Sequence, residues 1–365
     1  MNENFLEQKL AQRRDEQAFR SLRLNNGLED WSSNDYLALA AYLSKQNGTV
    51  GGGATGSRLL SGNHAIMEET EQLLAAFHET EAALIFNSGY DANLGLLSVV
   101  PQKDDLILYD FLSHASIRDG IKLNSCKSHS FLHNDLADLE RHLVRAESRC
   151  FVVTESVFSM DGDQAPLSEI VKLCESYNAY LIVDEAHATG IIGTKGEGLV
   201  QALGLTQKVF ARVHTFGKAL GSHGAVVVGS NRLRNYLINF SRAFIYTTAL
   251  PPAHFETIQE GYRMLPLMND ARTHLKELIQ LFQEASLPFQ KLNSQTAIQA
   301  ILIPGNEKAR LVAQYLQSKG HDCRPILYPT VPKNTERIRI VLHSFNKTEA
   351  LKSLIKAISE SGELF

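Results

Sequence analysis

Short apolar runs separated by helix-like segments constrain the fold of this chain more than any other feature. Such runs, rich in Val, Ile, Leu, Ala and Phe, are typical of strands that are covered on both faces. Their alternation with helical segments predicts an α/β fold, in which a mostly parallel central sheet carries helices on both faces. The predicted strands span residues 82–86, 106–109, 151–154, 180–183, 209–213 and 225–229.

Specific polar residues follow most of these runs. Because the carboxyl ends of parallel strands meet at one edge of an open sheet, where ligands bind, we expect the chemistry at that edge. Taken singly, each segment has a plainer interpretation as a helix cap, a strand end or an ordinary core or surface histidine. Together they predict one site. The segments that follow the predicted strands contain Ser88, Gly89, Tyr90, His114, Ser159, Asp184, His187, Thr215 and Lys218.

The segment YLIVDEAHATG, residues 180–190, places Asp184 at the mouth of a buried strand. A carboxylate there is poorly hydrated and needs a cation or a donor nearby. His187 can exchange a proton in the same crevice. The letters DEAH match a helicase signature, but that chemistry needs a G-x-x-x-x-G-K-[ST] loop earlier in the chain, and none exists. The other interpretation pairs Asp184 with the protonated pyridine nitrogen of a cofactor that a later lysine holds.

Lys218 is the candidate for that lysine. Most lysines are solvated surface charges. Lys218, however, lies between two apolar runs with Gly217 and Gly221 beside it, so its stem is expected among packed backbone. A desolvated lysine near a cationic group has a lowered pKa and attacks aldehydes. The turn at Gly89 opens a helix whose free N–H groups suit a phosphate.

Length, charge and cysteine spacing exclude several classes of protein. The chain has 365 residues and a net charge of -4, which gives no electrostatic case for nucleic acid or an anionic membrane. Its first residues are charged throughout, unlike a signal or transit peptide, and no apolar run approaches the ~20 residues of a spanning helix. We expect a cytoplasmic protein without a metal site. The cysteines, too widely spaced for a zinc pattern, are predicted to be free thiols: Cys126, Cys150, Cys174 and Cys323.

The pattern changes in the last hundred residues, where short runs at 298–303 and 338–342 precede a helix at 348–359. This predicts a smaller α+β domain. We therefore predict three parts: an N-terminal arm, a large domain and a small C-terminal domain, with the boundaries 1–36, 37–264 and 265–365.

Arg337 and Arg339 alternate along one predicted strand and so share a face. One of them could clamp a substrate carboxylate with two parallel hydrogen bonds. The alternative is a pair of solvated arginines on an edge strand. The sequence leaves both open.

Motifs along nearly the whole chain resemble the α-oxoamine synthases, a family of fold-type-I enzymes that use pyridoxal 5′-phosphate (PLP). Their order along the chain is more specific than any single match. The resemblance implies PLP as cofactor and a homodimer with active sites at the subunit interface. The motifs are SSNDYL, GSRLLSGNH, NSGY, SHAS, TESVFSMDGD, VDEAHATG, TFGKALG, IYTTALPP and PTVPKNTERIRIVLH.

The resemblance also implies roles for individual residues. Lys218 would hold the cofactor as a Schiff base and move the substrate Cα proton, Asp184 would pair with the ring nitrogen, and His114 would stack on the ring. Further positions carried over from the family are His187 and Ser159 at the ring hydroxyl; Ser88, Gly89, Tyr90 and Thr215 around the phosphate or ring; Thr248 from the neighbouring chain at the phosphate; Arg339 at the substrate carboxylate; and Arg20 and Thr330 at other parts of the substrate.

The implied activity is a decarboxylative condensation of an amino acid with an acyl thioester. The PTVP segment and the R-x-R-x-x-L-H ending are similar to the member that uses L-alanine and pimeloyl-CoA or a pimeloyl carrier protein. A sister that joins glycine to acetyl-CoA is the alternative. A third alternative is a catalytically silent subunit that binds an active partner. The presence of Lys218, Asp184 and His187 argues against it. This chain departs from common family residues at Ala38, where Gly is frequent, at Tyr90, where Phe is frequent, and at Thr247 and Ala249.

Overall fold

The computed structural model describes residues 4–20, 27–46 and 52–364. The chain forms two compact units, a sheet unit and a terminal unit. The predicted arm, large domain and small domain stay predictions. The sheet unit contains Asp35–Ser159 and Gln164–Arg272, and the terminal unit contains Met1–Asn34, Met160–Asp163 and Thr273–Phe365.

Helices and strands alternate through most of the described chain. Short 3-10 helices occupy Thr206–Lys208 and Leu265–Leu267. The α-helices are α1 Asn4–Asp15, α2 Leu39–Gln46, α3 Ala65–Phe77, α4 Gly89–Leu97, α5 Ala115–Lys122, α6 Leu136–Val144, α7 Leu167–Ser176, α8 Leu199–Ala202, α9 Asn231–Phe240, α10 Arg242–Ile245, α11 Pro252–Met264, α12 Asn269–Glu284, α13 Asn306–Ser318 and α14 Thr348–Leu364. The β-strands are β1 Glu29–Asp30, β2 Ala82–Phe86, β3 Leu106–Asp110, β4 Lys127–Phe131, β5 Cys150–Glu155, β6 Tyr180–Asp184, β7 Ala211–Thr215, β8 Ala225–Gly229, β9 Ile298–Leu302, β10 His321–Asp322, β11 Arg324–Ile326 and β12 Arg337–Val341.

A seven-stranded sheet forms the centre of the sheet unit, in the order β2-β8-β7-β6-β5-β3-β4. The strands from β7 to β4 pair in parallel, whereas β8 pairs antiparallel with both β2 and β7. Because β8 runs opposite to both neighbours, β2 and β7 point the same way and end at the same edge. The predicted α/β fold with a mostly parallel sheet is confirmed.

Two parts of the strand prediction differ from the structure by more than one residue at an end. The strand predicted at residues 209–213 begins two residues later, as β7, and continues to Thr215. Strand β4, with the sequence KSHSF, was not predicted because it has no apolar run. It is an edge strand with one neighbour, so its side chains alternate between exposed and half-buried until Phe131, and it needs no continuous apolar sequence.

An apolar core holds α4 and α5 against one face of this sheet. Burial of such side chains contributes on the order of 1.5–3 kcal/mol each, so this layer is a main source of stability. Its members from the strands are Leu84, Phe86, Ile107, Phe151, Val153, Ile182, Val213 and Val227, and from the helices Leu96, Leu97, Ile117 and Ile121.

Ala38 has a backbone φ of 59°, in the left-handed region. It lies in a turn in which its N–H donates to the carbonyl oxygen of Asp35 over 3.1 Å, just before α2. A side chain in this conformation costs roughly 1–2 kcal/mol, which glycine avoids. This explains why glycine is frequent at this position among the α-oxoamine synthases that the chain resembles. With Ala38, this chain retains the backbone strain.

Replacing Ala38 by glycine should therefore raise the free energy of unfolding by about 0.5–1 kcal/mol, since relief of the strain exceeds the added entropy of the unfolded chain. Urea denaturation measures the change. The matched control is Ala41→Gly, at an exposed position within α2, which should lower stability by about 1 kcal/mol. Equal destabilisation by both variants would contradict the strain at Ala38.

A buried ion-pair network joins α3, α9 and the loop before α3. The carboxylate of Glu71 lies 2.8 Å from Arg58 Nη1 and 2.9 Å from Arg234 Nη2. It also accepts the backbone N–H of Ile85 in β2 over 2.9 Å. The side chains of Glu71 and Arg58 are only 3% and 7% exposed. Each charge in this network therefore depends on its partners rather than on water.

The terminal unit contains a three-stranded antiparallel sheet in the order β11-β12-β9. Arg337 and Arg339 lie on β12, the central strand, so the alternative of two solvated arginines on an edge strand is wrong. Arg337 is buried and forms an ion pair with Asp161. Arg339 is half-buried and donates from Nη2 to Oδ1 of Asn34 over 3.0 Å.

None of the helices within the described residues has both the length and the apolar character needed to cross a membrane.

Candidate active site

A cavity of about 270 Å³ opens at the carboxyl edge of the seven-stranded sheet. It lies wholly within the sheet unit. Most of the site residues predicted from the ends of strands line it. Its lining includes Ser88, Gly89, Tyr90, Asn93, His114, Ser116, Glu155, Asp184, His187, Thr215, Lys218 and His223.

Asp184 is buried at the end of β6. Its Oδ2 accepts from Nδ2 of Asn93 over 2.7 Å, and its Oδ1 accepts from the backbone N–H of Ala186 over 2.9 Å. These donors stabilise a negative charge on a carboxylate that has little access to water. The cavity thus offers a fixed anion to a cationic group.

Glu155 ends β5 directly opposite Asp184 in the sheet register. Burial, with the negative charge of Asp184 as the second cause, raises the pKa of the Glu155 carboxyl to about 8. Glu155 Oε1 accepts the backbone N–H of His114 over 2.6 Å. At neutral pH the Glu155 carboxyl therefore carries a proton in most molecules.

His114 is the N-cap residue of α5 and lines the same cavity. Its Nδ1 lies 2.8 Å from Oγ of Ser116. Burial lowers the pKa of His114, an effect that the negative charge of Asp184 opposes. The ring is therefore neutral at pH 7, which suits stacking on a flat aromatic ligand.

Lys218 lies in the loop after β7, and its side chain is half-buried. Its Nζ is 2.8 Å from Nε2 of His187, which follows β6. Asp184, His187 and Lys218, predicted from two separate motifs, thus meet in one cavity. An amine here can attack an aldehyde while the carboxylate holds a positive ring nitrogen.

Another part of the cavity lining suits a phosphate. Ser88 caps α4, its Oγ accepting the N–H of Asp91 over 3.0 Å, so the first turn of the helix faces the cavity. Thr215 lies beside this turn because Phe86 and Thr215 both pair with Ala225. Among the described atoms, Oγ1 of Thr215 is buried without a hydrogen-bond partner. An unsatisfied donor next to a helix N-terminus fits an anionic ligand group.

Gly89 has no room for a side chain, since an added Cβ would lie 2.5 Å from Cγ2 of Thr215. We expect Gly89→Ala to push these two elements apart and to weaken PLP binding about tenfold or more, corresponding to at least ~1.4 kcal/mol. Fluorescence titration of the apoprotein with PLP measures the affinity. Gly53→Ala, at an exposed glycine with open space around it, is the control and should leave the affinity unchanged.

Three predicted cofactor residues lie at the rim of the cavity or outside its lining. The Tyr90 hydroxyl donates to the Asp119 carboxylate at the rim of the cavity. Ser159 lies in the turn after β5, and Thr248 is exposed, with its carbonyl accepting from Asn87 Nδ2 over 2.9 Å. The cavity lining within the described residues does not include Ser159 or Thr248. Their predicted roles stay predictions.

The other predicted substrate residues lie in the terminal unit. Arg20 donates from Nη2 to Oγ1 of Thr330 over 3.1 Å. Both line a cavity of about 490 Å³ in that unit, together with Arg310 and Arg324. This cavity combines cationic groups with the apolar residues 325–329, a lining that suits a chain with an anionic end.

The sequence prediction missed Asn93 and Glu155. Asn93 stands four residues after Gly89, so both lie on one face of α4, and a polar residue on the buried face of a helix is a signal that could have found it. Glu155 follows Thr154 at the end of a predicted strand, in the position that Asp184 has in the next one.

Comparison with known proteins identifies the family of the chain. The family model for class I and II aminotransferases matches residues 26–358. The 8-amino-7-oxononanoate synthase of Emericella nidulans is 38% identical over 97% of this chain and 94% of its own length.

Solved structures agree as well. The 8-amino-7-oxononanoate synthase of Francisella tularensis has a TM-score of 0.78 at 28% identity, covering 93% of this chain and 99% of that one. A serine palmitoyltransferase from S. paucimobilis, solved with a bound PLP-myriocin aldimine, has a TM-score of 0.86 at 26% identity, covering 99% and 97%.

The chain therefore belongs to the class I and II aminotransferase family. Its full-length similarity to 8-amino-7-oxononanoate synthases further makes it a PLP-dependent acyltransferase of the α-oxoamine synthase group, acting on small molecules. The resemblance seen in the sequence is confirmed. The cavity fits PLP, because it offers a lysine for the aldehyde, an acid for the ring nitrogen and a helix N-terminus with an unpartnered hydroxyl for the phosphate.

Proposed function

We propose that this enzyme condenses L-alanine with pimeloyl-CoA, or with a pimeloyl carrier protein, and releases CO2 to form 8-amino-7-oxononanoate for biotin biosynthesis. The observation that carries the proposal is the similarity to synthases of that name over almost the full chain. The PTVP segment and the R-x-R-x-x-L-H ending support the same substrates. Bound PLP supplies the electron sink that stabilises a carbanion at the amino-acid Cα.

The residues of the sheet-unit cavity have distinct parts in this proposal. Lys218 would hold the cofactor aldehyde through Nζ, and the same amine would take the substrate Cα proton and later return a proton to Cα. Asp184 keeps the ring nitrogen positive. His114 stacks on the ring and excludes water from one face. His187 and Ser159 donate to the ring hydroxyl, and Ser88, Gly89, Tyr90 and Thr215 surround the phosphate or ring.

Residues of the terminal unit bind the substrates in this proposal. Arg339 holds the alanine carboxylate, a role supported by its half-buried guanidinium, which Asn34 orients. Arg20 and Thr330 contact the acyl donor, supported by the cavity that they line. The positive charge of this cavity suits the free carboxylate of a pimeloyl chain or the phosphates of CoA.

We also propose a homodimer in which Thr248 reaches the phosphate of the partner subunit. Two large apolar side chains, Leu60 and Tyr246, are 83% and 72% exposed. Their segments are adjacent, since the Ala249 N–H donates to the Gly56 carbonyl over 3.0 Å. Exposed apolar residues grouped in this way are typical of an interaction surface.

Release of coenzyme A by the PLP-loaded enzyme tests the proposed substrates. We expect turnover with L-alanine and pimeloyl-CoA, and none above background with glycine and acetyl-CoA. A parallel assay with a pimeloyl carrier protein identifies the preferred donor. Faster release with glycine and acetyl-CoA would assign the chain to the sister activity instead.

A further inference from the structure

Tyr36 is a fully buried tyrosine whose hydroxyl lies 2.7 Å from Nδ1 of His187. The other ring nitrogen, Nε2, lies 2.8 Å from Nζ of Lys218. Tyr36, His187 and Lys218 therefore form a continuous chain of hydrogen bonds that ends at the reactive amine. Tyr36 itself does not line the cavity among the described residues, so it acts on the site through His187.

The turn that carries Tyr36 is packed against the Lys218 loop. Gly221, whose N–H donates to the Lys218 carbonyl over 2.8 Å, has no room for a Cβ because the backbone nitrogen of Ala40 would lie 2.1 Å away. The start of α2, which directly follows this turn, thus touches the loop through backbone and limits movement of the tyrosine.

The same turn also packs against the chain that follows His187. The side chain of Leu37 lies within 3.6 Å of the Cβ position of Gly190. Tyr36 is therefore held between the two loops that carry His187 and Lys218. A hydroxyl fixed in this way can set the orientation of the imidazole rather than follow it.

The hydrogen bond at Nδ1 determines what Nε2 can do. In a neutral imidazole one nitrogen carries the proton and the other accepts, and the partner of one fixes the role of the other. A tyrosine O–H that donates to Nδ1 leaves the proton on Nε2. An ammonium group has no acceptor, so an Nε2–H that faces Nζ requires Lys218 to be the neutral amine, the form that attacks an aldehyde.

We propose that Tyr36 is a positioning residue that holds His187 in the tautomer with its proton on Nε2. This inference rests on the proposed function, in which His187 donates to the ring hydroxyl of PLP. In the apoprotein the same proton points to the Lys218 amine, which it keeps oriented for the incoming cofactor. In the reverse arrangement, a Lys218 ammonium donates to Nε2 and Nδ1–H donates to the Tyr36 oxygen. The His187 proton then lies on Nδ1 instead of Nε2.

NMR of the cofactor-free protein labelled with 15N at histidine distinguishes the two arrangements, with His187→Gln identifying the His187 signals. At neutral pH we expect unprotonated Nδ1 and protonated Nε2 in the wild type. In Tyr36→Phe, which keeps the ring and removes only the hydroxyl, we expect a mixture of the two tautomers. A proton on Nδ1 in the wild type overturns the proposal, whether or not the variant folds.

Kinetics of the PLP-loaded enzyme provides the second measurement. For Tyr36→Phe we expect kcat to fall by about tenfold, the order expected for loss of one buried hydrogen bond, while KM for the amino acid changes less than twofold. Tyr42→Phe is the matched control. Tyr42 lies in α2, and its hydroxyl makes no hydrogen bond within the described residues, so both values should stay unchanged.

The two measurements separate this inference from the proposed substrates. Should the enzyme not act on L-alanine and pimeloyl-CoA, the tautomer of His187 in the apoprotein still tests Tyr36. Should Tyr36→Phe leave both the 15N spectrum and kcat unchanged, the positioning role is wrong and the proposed reaction is unaffected.

Discussion

Replacing Lys218 by alanine is expected to abolish the visible absorption band that the protein acquires with PLP and to lower turnover by at least about 10³-fold. In the proposed reaction one amine both binds the cofactor covalently and carries the Cα proton, and loss of a general base alone costs about 10²–10⁴-fold. The cavity supports this double role, since Nζ of Lys218 lies 2.8 Å from His187 and the Asp184 carboxylate lines the same cavity.

The measurement is an absorption spectrum of purified protein after incubation with PLP and removal of the excess, followed by the coenzyme A release assay. Lys208→Ala serves as the control, because Lys208 is exposed and, among the residues that the structure describes, pairs only with Glu175 at the surface of the same unit. It should bind PLP and turn over like the wild type. A wild-type protein without a band, or a Lys218→Ala variant that retains it, would remove the basis of the proposed chemistry.

Replacing Glu71 by alanine should lower the free energy of unfolding by about 3–5 kcal/mol, a large part of the 5–15 kcal/mol typical of a folded protein. The substitution leaves the buried guanidinium of Arg58 and the partly buried one of Arg234 without their shared carboxylate. It also removes the acceptor of the Ile85 N–H inside β2. Glu68 remains near both arginines but is 43% exposed, so it compensates only in part.

Urea denaturation followed by circular dichroism measures this loss. The control is Glu69→Ala in the same helix, since Glu69 is exposed and makes no ion pair within the described residues. Its effect should stay within about 0.5 kcal/mol. A Glu71→Ala variant as stable as this control would mean that water reaches the two arginines and that the network contributes little.

The strand predictions show which parts of the sheet depend on local sequence. Runs such as AALIF and YLIVD became buried strands because a chain segment that is covered on both faces needs apolar side chains throughout. Edge strand β4 lacks this requirement and was not predicted. The antiparallel insertion of β8 between β2 and β7 also has no local signal, because strand direction depends on how the whole chain returns to the sheet.

The site residues likewise separate into those with a local sequence signal and those without one. Ser88, His114, Asp184, Thr215 and Lys218 were found from the sequence because each comes soon after a predicted strand, and such positions share one edge. Asn93 and Tyr36 make the contacts that orient Asp184 and His187, over separations of 91 and 151 residues. No spacing rule predicts such pairs.

The sequence by itself determined the α/β class, the strands covered on both faces, the sheet edge at which the cavity lies, and the amine and acid proposed to serve the cofactor. Those properties depend on the order of apolar and polar residues along the chain. Only the tertiary structure decided that β8 separates β2 from β7, that Thr215 lies beside the first turn of α4, and that Tyr36 contacts His187. These contacts depend on packing between distant segments, where steric fit and the need to satisfy buried polar groups select one arrangement.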